Sequence, residues 1–251
     1  MNDGWVDTRF GGTLVAANRT EGLRTDIDRA TLNDHKWINR QITSAANSGD
    51  LARLLNVIHE NLDRMSIINF STALHRIAKL SLSCDRNNRE QVVGDNGTRS
   101  LHEAVVKHIS QWEGQCGLAN PFQGRDTASE MRCLSTICWS CATLRMREEH
   151  LFNRVARISS ARLSELKPFE LSNMLWAFAK LTFWTPSFFE SVSQTLLQRQ
   201  RDAHSPHCLS TIVWAFGTAK FYHHSLFTSF AAEIEAKVRM LSPQGISNVA
   251  W

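Results

Sequence analysis

Two cysteines separated by two residues, Cys138 and Cys141 in "CWSC", have the spacing of a redox or metal-binding pair. A tetrahedral metal site needs a second Cys or His pair at ligand spacing, and none accompanies it. A more extensive pattern is a recurring Thr or Asn: Thr72, Thr136, Asn173, Thr211 and Asn248. Seven residues after the first four stand Lys79, Thr143, Lys180 and Thr218. A Thr hydroxyl and an Asn amide both donate and accept hydrogen bonds, and a Lys ammonium can meet a phosphate. The chemistry such a ladder offers is recognition rather than bond making.

Motifs for bond making are missing from the sequence, which has no Gly-rich phosphate loop, no G-x-S-x-G elbow and no H-E-x-x-H. The paired carboxylates Glu148 and Glu149 read as a charged helix start that complements the helix dipole. His223 and His224 open another helix and read as surface residues. The residue types therefore predict no enzyme, no cofactor, no metal and no small-molecule substrate.

The elements that must position the ladder come from a repeated phrase. "LSTICWSCATL" from Leu134, "LSNMLWAFAKL" from Leu171, "LSTIVWAFGTAKF" from Leu209 and a last copy from Ile246 are spaced by 37, 38 and 37 residues. Their tryptophans are Trp139, Trp176, Trp214 and Trp251. A further copy, "FSTALHRIAKL", begins at Phe70, 64 residues before Leu134, and carries His75 in the Trp place. A degenerate copy is one reading of Leu32 to Ile42, with Trp37 at the right spacing but no Ser. Each unit also holds a second apolar-periodic segment, so a unit is a helix pair. Pro168, Pro206 and Pro243 precede the phrase, two of them behind Ser205 and Ser242, which is how helices start. Pairs of this length bury their apolar faces only by stacking. The expected fold is all-α, an α-solenoid of stacked helix pairs with a 37–38 residue repeat.

Wound at about 100° per residue from Leu171, the phrase puts Leu175, Phe178 and Met174 on a core stripe, with Asn173 and Lys180 at about 200° and about 180°, opposite it. Ser172 and Ala179 form a strip of small residues that admits a close neighbour. In solenoids whose first helices line the binding side, a few side chains per repeat hydrogen-bond one base each. The same placement also fits exposed positions that bind nothing. The tryptophans fall between the small strip and the outward face, where they either wedge between repeats or offer platforms to bases. Cys138 and Cys141 align with Leu175 and Phe178, so they are expected in the core as small hydrophobes.

With 251 residues, 43% of them hydrophobic, the chain can bury a continuous core, and its low Gly and Pro content and single Tyr disfavour a turn-rich sheet protein. Six cysteines without regular spacing suit a reducing compartment. No apolar run reaches the roughly 20 residues that a membrane-spanning helix needs, so no membrane partner is expected. A net charge of +4 permits a polyanionic partner without requiring one. The organisation reads as a partly disordered tail over 1–30, an N-terminal helix pair over 31–65 and a helical-repeat domain over 66–251. Polar stretches near 83–98 and 113–130 read as inserted surface loops, and the last repeat reads as truncated.

The four phrases at this period resemble the helical repeats of organellar RNA-binding proteins: octotricopeptide-repeat proteins, the FAST kinase and RAP-domain family, and the repeat domain of an RNA-editing substrate-binding complex subunit. Such repeats are abundant in alveolates. The resemblance covers roughly residues 66–251. It implies a non-enzymatic solenoid that binds single-stranded RNA in a mitochondrion or plastid and supports RNA processing, editing, stability or translation, beside other proteins of an RNA-processing complex. The start "MNDGWVDTRF" has no presequence character, since Asp3 and Asp7 intrude, so a cytoplasmic location stays open. The alternative function is a protein-interaction scaffold of the armadillo or HEAT kind.

Overall fold

The computed structural model describes residues 31–115, 127–199 and 204–251. The tail over 1–30 and the middle of the second polar stretch, 116–126, lie outside the described residues. Among the described residues the protein is all-α, with no strand. Helix α1 covers 31–47, and α2 (Leu51–Asn61), α3 (Ile67–Leu82), α4 (Arg86–Gly94), α5 (Asn96–Gln115) and α6 (Thr127–Leu144) follow. Then come α7 (Glu149–Ser160), α8 (Pro168–Lys180), α9 (Pro186–Gln198), α10 (Pro206–Thr218), α11 (His224–Lys237) and α12 (Pro243–Ala250).

Helix starts follow the local chemistry. Ser205 Oγ accepts from the Cys208 N–H at 3.2 Å and Ser242 Oγ from the Gly245 N–H at 3.1 Å, each just ahead of a proline that has no N–H to satisfy. In α8 the cap is supplied from inside the helix, where Glu170 Oε2 accepts from the Lys167 N–H at 2.8 Å. The phrase-bearing helices α6, α8 and α10 all stop the same way. Arg145, Thr182 and Lys220 take left-handed φ angles of 59°, 57° and 54°, and the next residue's N–H reaches back to Cys141, Phe178 and Phe216 carbonyls.

Packing follows chain order in two rows. The phrase helices lie side by side, α3 on α6, α6 on α8, α8 on α10 and α10 on α12, while the second helices run α2, α5, α7, α9, α11. Helix α1 is tied to the start of α3, where Asn69 Nδ2 donates to the His35 carbonyl at 2.9 Å. The core stripe expected from the phrase is buried at Leu171, Met174, Leu175 and Phe178. Rings fill the space between the rows: Phe152 lies 5.0 Å from Phe178, Phe178 4.9 Å from Phe188, and Phe189 5.3 Å from Phe216.

The stretch near 83–98 differs from the expected surface loop. It forms α4 and the start of α5, because Asp85 caps α4 by accepting from the Asn88 N–H at 2.8 Å and Val92 is buried. Arg89 Nε then caps the end of α3 by donating to the Ser81 carbonyl at 3.0 Å. Of the second expected loop, 113–115 close α5 and 127–130 open α6. Among the described residues no helix is long and apolar enough to cross a membrane.

Candidate functional site

Asn173 of α8, Thr211 of α10 and Asn248 of α12 hold the same repeat place on three successive helices, and all three line one groove of about 350 Å³. Helical spacing brings further side chains to that face. Trp176 and Lys180 stand three and seven residues after Asn173, and Trp214 three after Thr211, so all project to the side that carries the ladder. Trp139 of α6 closes one end. His207 and Gln244, four residues before Thr211 and Asn248, complete the wall from the first turns of their helices. Neither was among the residues singled out in the sequence. The signal that could have found them is the same i, i+4, i+7 face extended one turn towards the helix start.

The lining holds the cation Lys180 and no carboxylate. Gln244 Nε2 donates to Asn248 Oδ1 at 2.9 Å, which fixes that amide and leaves its own NH₂ as a donor to the groove. A larger cleft of about 770 Å³ lies at the other end, among α1, the turn after α2 and α5. Its wall includes Asp34, Asp63 and Glu130; Asp34 is ion-paired to Arg64 and Glu130 Oε2 lies 3.6 Å from Arg162 Nη1.

The remaining ladder residues lie outside the groove. Thr72 Oγ1 and Thr136 Oγ1 donate back to their own helices, to the Ile68 carbonyl at 2.9 Å and the Arg132 carbonyl at 3.0 Å. Thr143 is only 9% exposed, and Thr218 is half-buried with its hydroxyl enclosed; both hydroxyls lack a hydrogen-bond partner. Lys79 stands over the Trp139 ring, 5.4 Å from its centroid. Thr211 is itself only 6% exposed. The single-helix projection put Thr143, Thr211 and Thr218 in solvent; a helix inside a row has neighbours on two sides, and the polar face narrows to a slot between them, while Lys79 and Lys180 stay exposed.

Trp139, Trp176 and Trp214 are half-buried; each packs against the core and also lines the groove. Trp251 departs from the expected packing role: it is 84% exposed at the end of the row, with no following described helix on which to lie. The His75 ring, in the Trp place of α3, lies 5.4 Å from that of Trp139, so this place makes contact across successive units.

Cys138 and Cys141 are fully buried. Burial pushes the Cys141 thiol up to about 12 and the Cys138 thiol well above its ordinary value, which disfavours the thiolate that redox or metal chemistry requires. Among the described residues no group of three or more His, Cys, Asp or Glu is placed to hold a metal ion. No protein-family model matches the chain, and no curated protein sequence matches it.

Proposed function

We propose that this protein is a helical-repeat module, an α-solenoid, that holds single-stranded RNA in the groove across its phrase helices and catalyses no reaction itself. The observation that carries the reading is the convergence of Asn173, Thr211 and Asn248, one from each of three successive helices, with Lys180 and three half-buried tryptophans in a groove free of carboxylates. Amide and hydroxyl groups match base edges, indole rings match base faces, and an ammonium matches phosphate. The organellar setting, the role in transcript processing or editing, and companion proteins come from the family resemblance alone.

Titration of the purified chain with random-sequence single-stranded RNA and with duplex DNA, at low and moderate salt, tests the reading. The expected result is RNA binding that weakens as salt rises, through counterion release, with little binding of the duplex. Replacing Asn173, Thr211 and Asn248 together by Ala should lower RNA affinity while the helical signal is kept. A folded chain that binds neither nucleic acid would overturn the proposal and turn attention to the groove as a docking face for a protein chain.

A further inference from the structure

The three groove tryptophans share a repeat place, but their rings are in different states. Trp139 is covered from the preceding helix, by the Lys79 ammonium 5.4 Å from its centroid and by the His75 ring at the same distance. One unit on, the place of Lys79 is taken by Thr143, a short and buried side chain that offers no cation to Trp176. Two units on it is Lys180, which lines the groove without lying over Trp214. Among the described residues, Trp176 and Trp214 have no cation or second ring against them, and neither indole N–H donates a hydrogen bond. Tryptophans this enclosed usually pair the N–H and pack the ring. Here each ring packs against the core and also lines a groove whose other walls include amides, a hydroxyl, His207 and a lysine.

Resting on the RNA reading above, we infer that Trp176 and Trp214 are stacking platforms for two nucleobases, while Lys79 holds the third platform, Trp139, shut. An indole packed against the core has already lost much of its rotational freedom, so a base that stacks on it pays little further ordering cost. A base lying on Trp176 or Trp214 turns its edge towards Asn173, Thr211 or Asn248 and leaves its phosphate to Lys180. That geometry requires a base whose own face is free. A duplex, whose bases are covered on both faces by their neighbours, does not supply one. The stacking part of the site therefore spans α8 and α10 and stops short of α6.

The test is a titration of the full chain with oligouridylate, read by two signals at once: anisotropy of a labelled RNA for binding and tryptophan emission for stacking. Binding should quench emission. W176F and W214F, which keep a ring in place, should each remove part of the quench. W176L and W214L should also weaken affinity by roughly 5- to 150-fold each, the range expected for one base–aromatic stack. K79M should add quenching that a K79M/W139F double variant lacks. Circular dichroism confirms that each variant is folded. RNA binding with unchanged emission, or W176L and W214L variants that are folded and bind as the parent does, would overturn the stacking assignment while leaving the RNA reading intact. No anisotropy change in the parent chain would overturn the RNA reading and this inference with it.

Discussion

The two rows of helices are built from the same repeat yet joined differently. Along the phrase row, neighbours meet through small residues: Ser71, Ser135, Ser172 and Ser210 are all buried, and Ser135 Oγ reaches the Glu170 carbonyl of the next helix at 2.6 Å. A Cβ added to Gly245 would stand 3.3 Å from Ser210 Oγ, so α10 and α12 are already as close as their side chains permit. Behind them the second row is padded with whole rings, Phe152, Phe188 and Phe189. Stability should therefore reside mainly in the rings, and the regular spacing of groove residues in the serines. The difference separates two properties that a single repeat phrase encodes together.

Cutting into the ring layer gives the largest effect. Phe188 is fully buried and stacks on Phe178 at 4.9 Å, with Phe189 edge-on at 6.1 Å. Phe188→Ala should cost about 3–5 kcal/mol, seen as a lower midpoint in urea unfolding. A loss under about 1 kcal/mol would mean that the rings do not carry the stability assigned to them. The small-residue row is tested by the opposite operation. Ser210→Leu forces a branched side chain against Gly245 and should cost about 1–3 kcal/mol, whereas Ser210→Ala should be nearly neutral. Equal stability of the two variants would show that close approach is not what joins the row.

This division explains how much could be read from the chain. The helix pairs and core stripe were legible because a 37–38 residue period and a 3.6-residue period both survive in Leu134, Leu171 and Leu209 with their followers. The capping pairs Ser205–Pro206 and Ser242–Pro243 marked helix starts that the structure places where they point. Helix α4 was not legible: "RNNREQVVG" is polar throughout except Val92 and Val93, and its stability comes from the Asp85 cap and from contact with α3 and α5. The site was legible only by type. A wheel for one helix assigns Thr211 and Thr143 to solvent, since the neighbours that bury them belong to other units. For the same reason it gave no hint that Lys79 would lie on Trp139 rather than beside a ligand.

Acidification probes both rows at once. His75 of the phrase row is held below the ordinary histidine value by burial, then by the charges of Lys79 and Arg76. His102 of the second row is lowered by burial against the opposing pull of Glu148 and Glu103. His204, 3% exposed in the turn before α10, is also lowered chiefly by burial, although the Glu233 carboxylate 3.4 Å away works against it. With the folded pKa below 6.5 in each case, the unfolded chain takes up more protons as pH drops through that value. The stability these neutral rings contribute is present above about 6.5 and is lost as pH falls through the folded values. Melting temperature should decline between about pH 6.5 and about pH 5, and the decline should be shallower in a His204→Gln variant. A melting temperature that rises over that interval would contradict the shared sign.

The smallest effect concerns the turn that hands the chain from the phrase row to the second row. Arg145, Thr182 and Lys220 occupy equivalent left-handed positions, where a Cβ crowds the carbonyl oxygen and glycine does not. Of the three, Thr182 is β-branched and so the most crowded. The Schellman bonds at this turn come from the backbone, Thr182 N–H to Ala179 at 3.1 Å and Phe183 N–H to Phe178 at 2.9 Å, so they survive any substitution that keeps φ positive. Thr182→Gly should therefore relieve strain without losing a backbone bond. The relief is offset in part by the greater freedom of glycine in the unfolded chain, leaving a net gain of about 0.5–1 kcal/mol in thermal or urea unfolding. Lys220→Gly should gain less, because an unbranched side chain starts with less strain. If both glycine variants lose stability, the side chains at these turns hold the two rows together through contacts of their own, and the turns belong with the serines and the rings as a third joint between repeats.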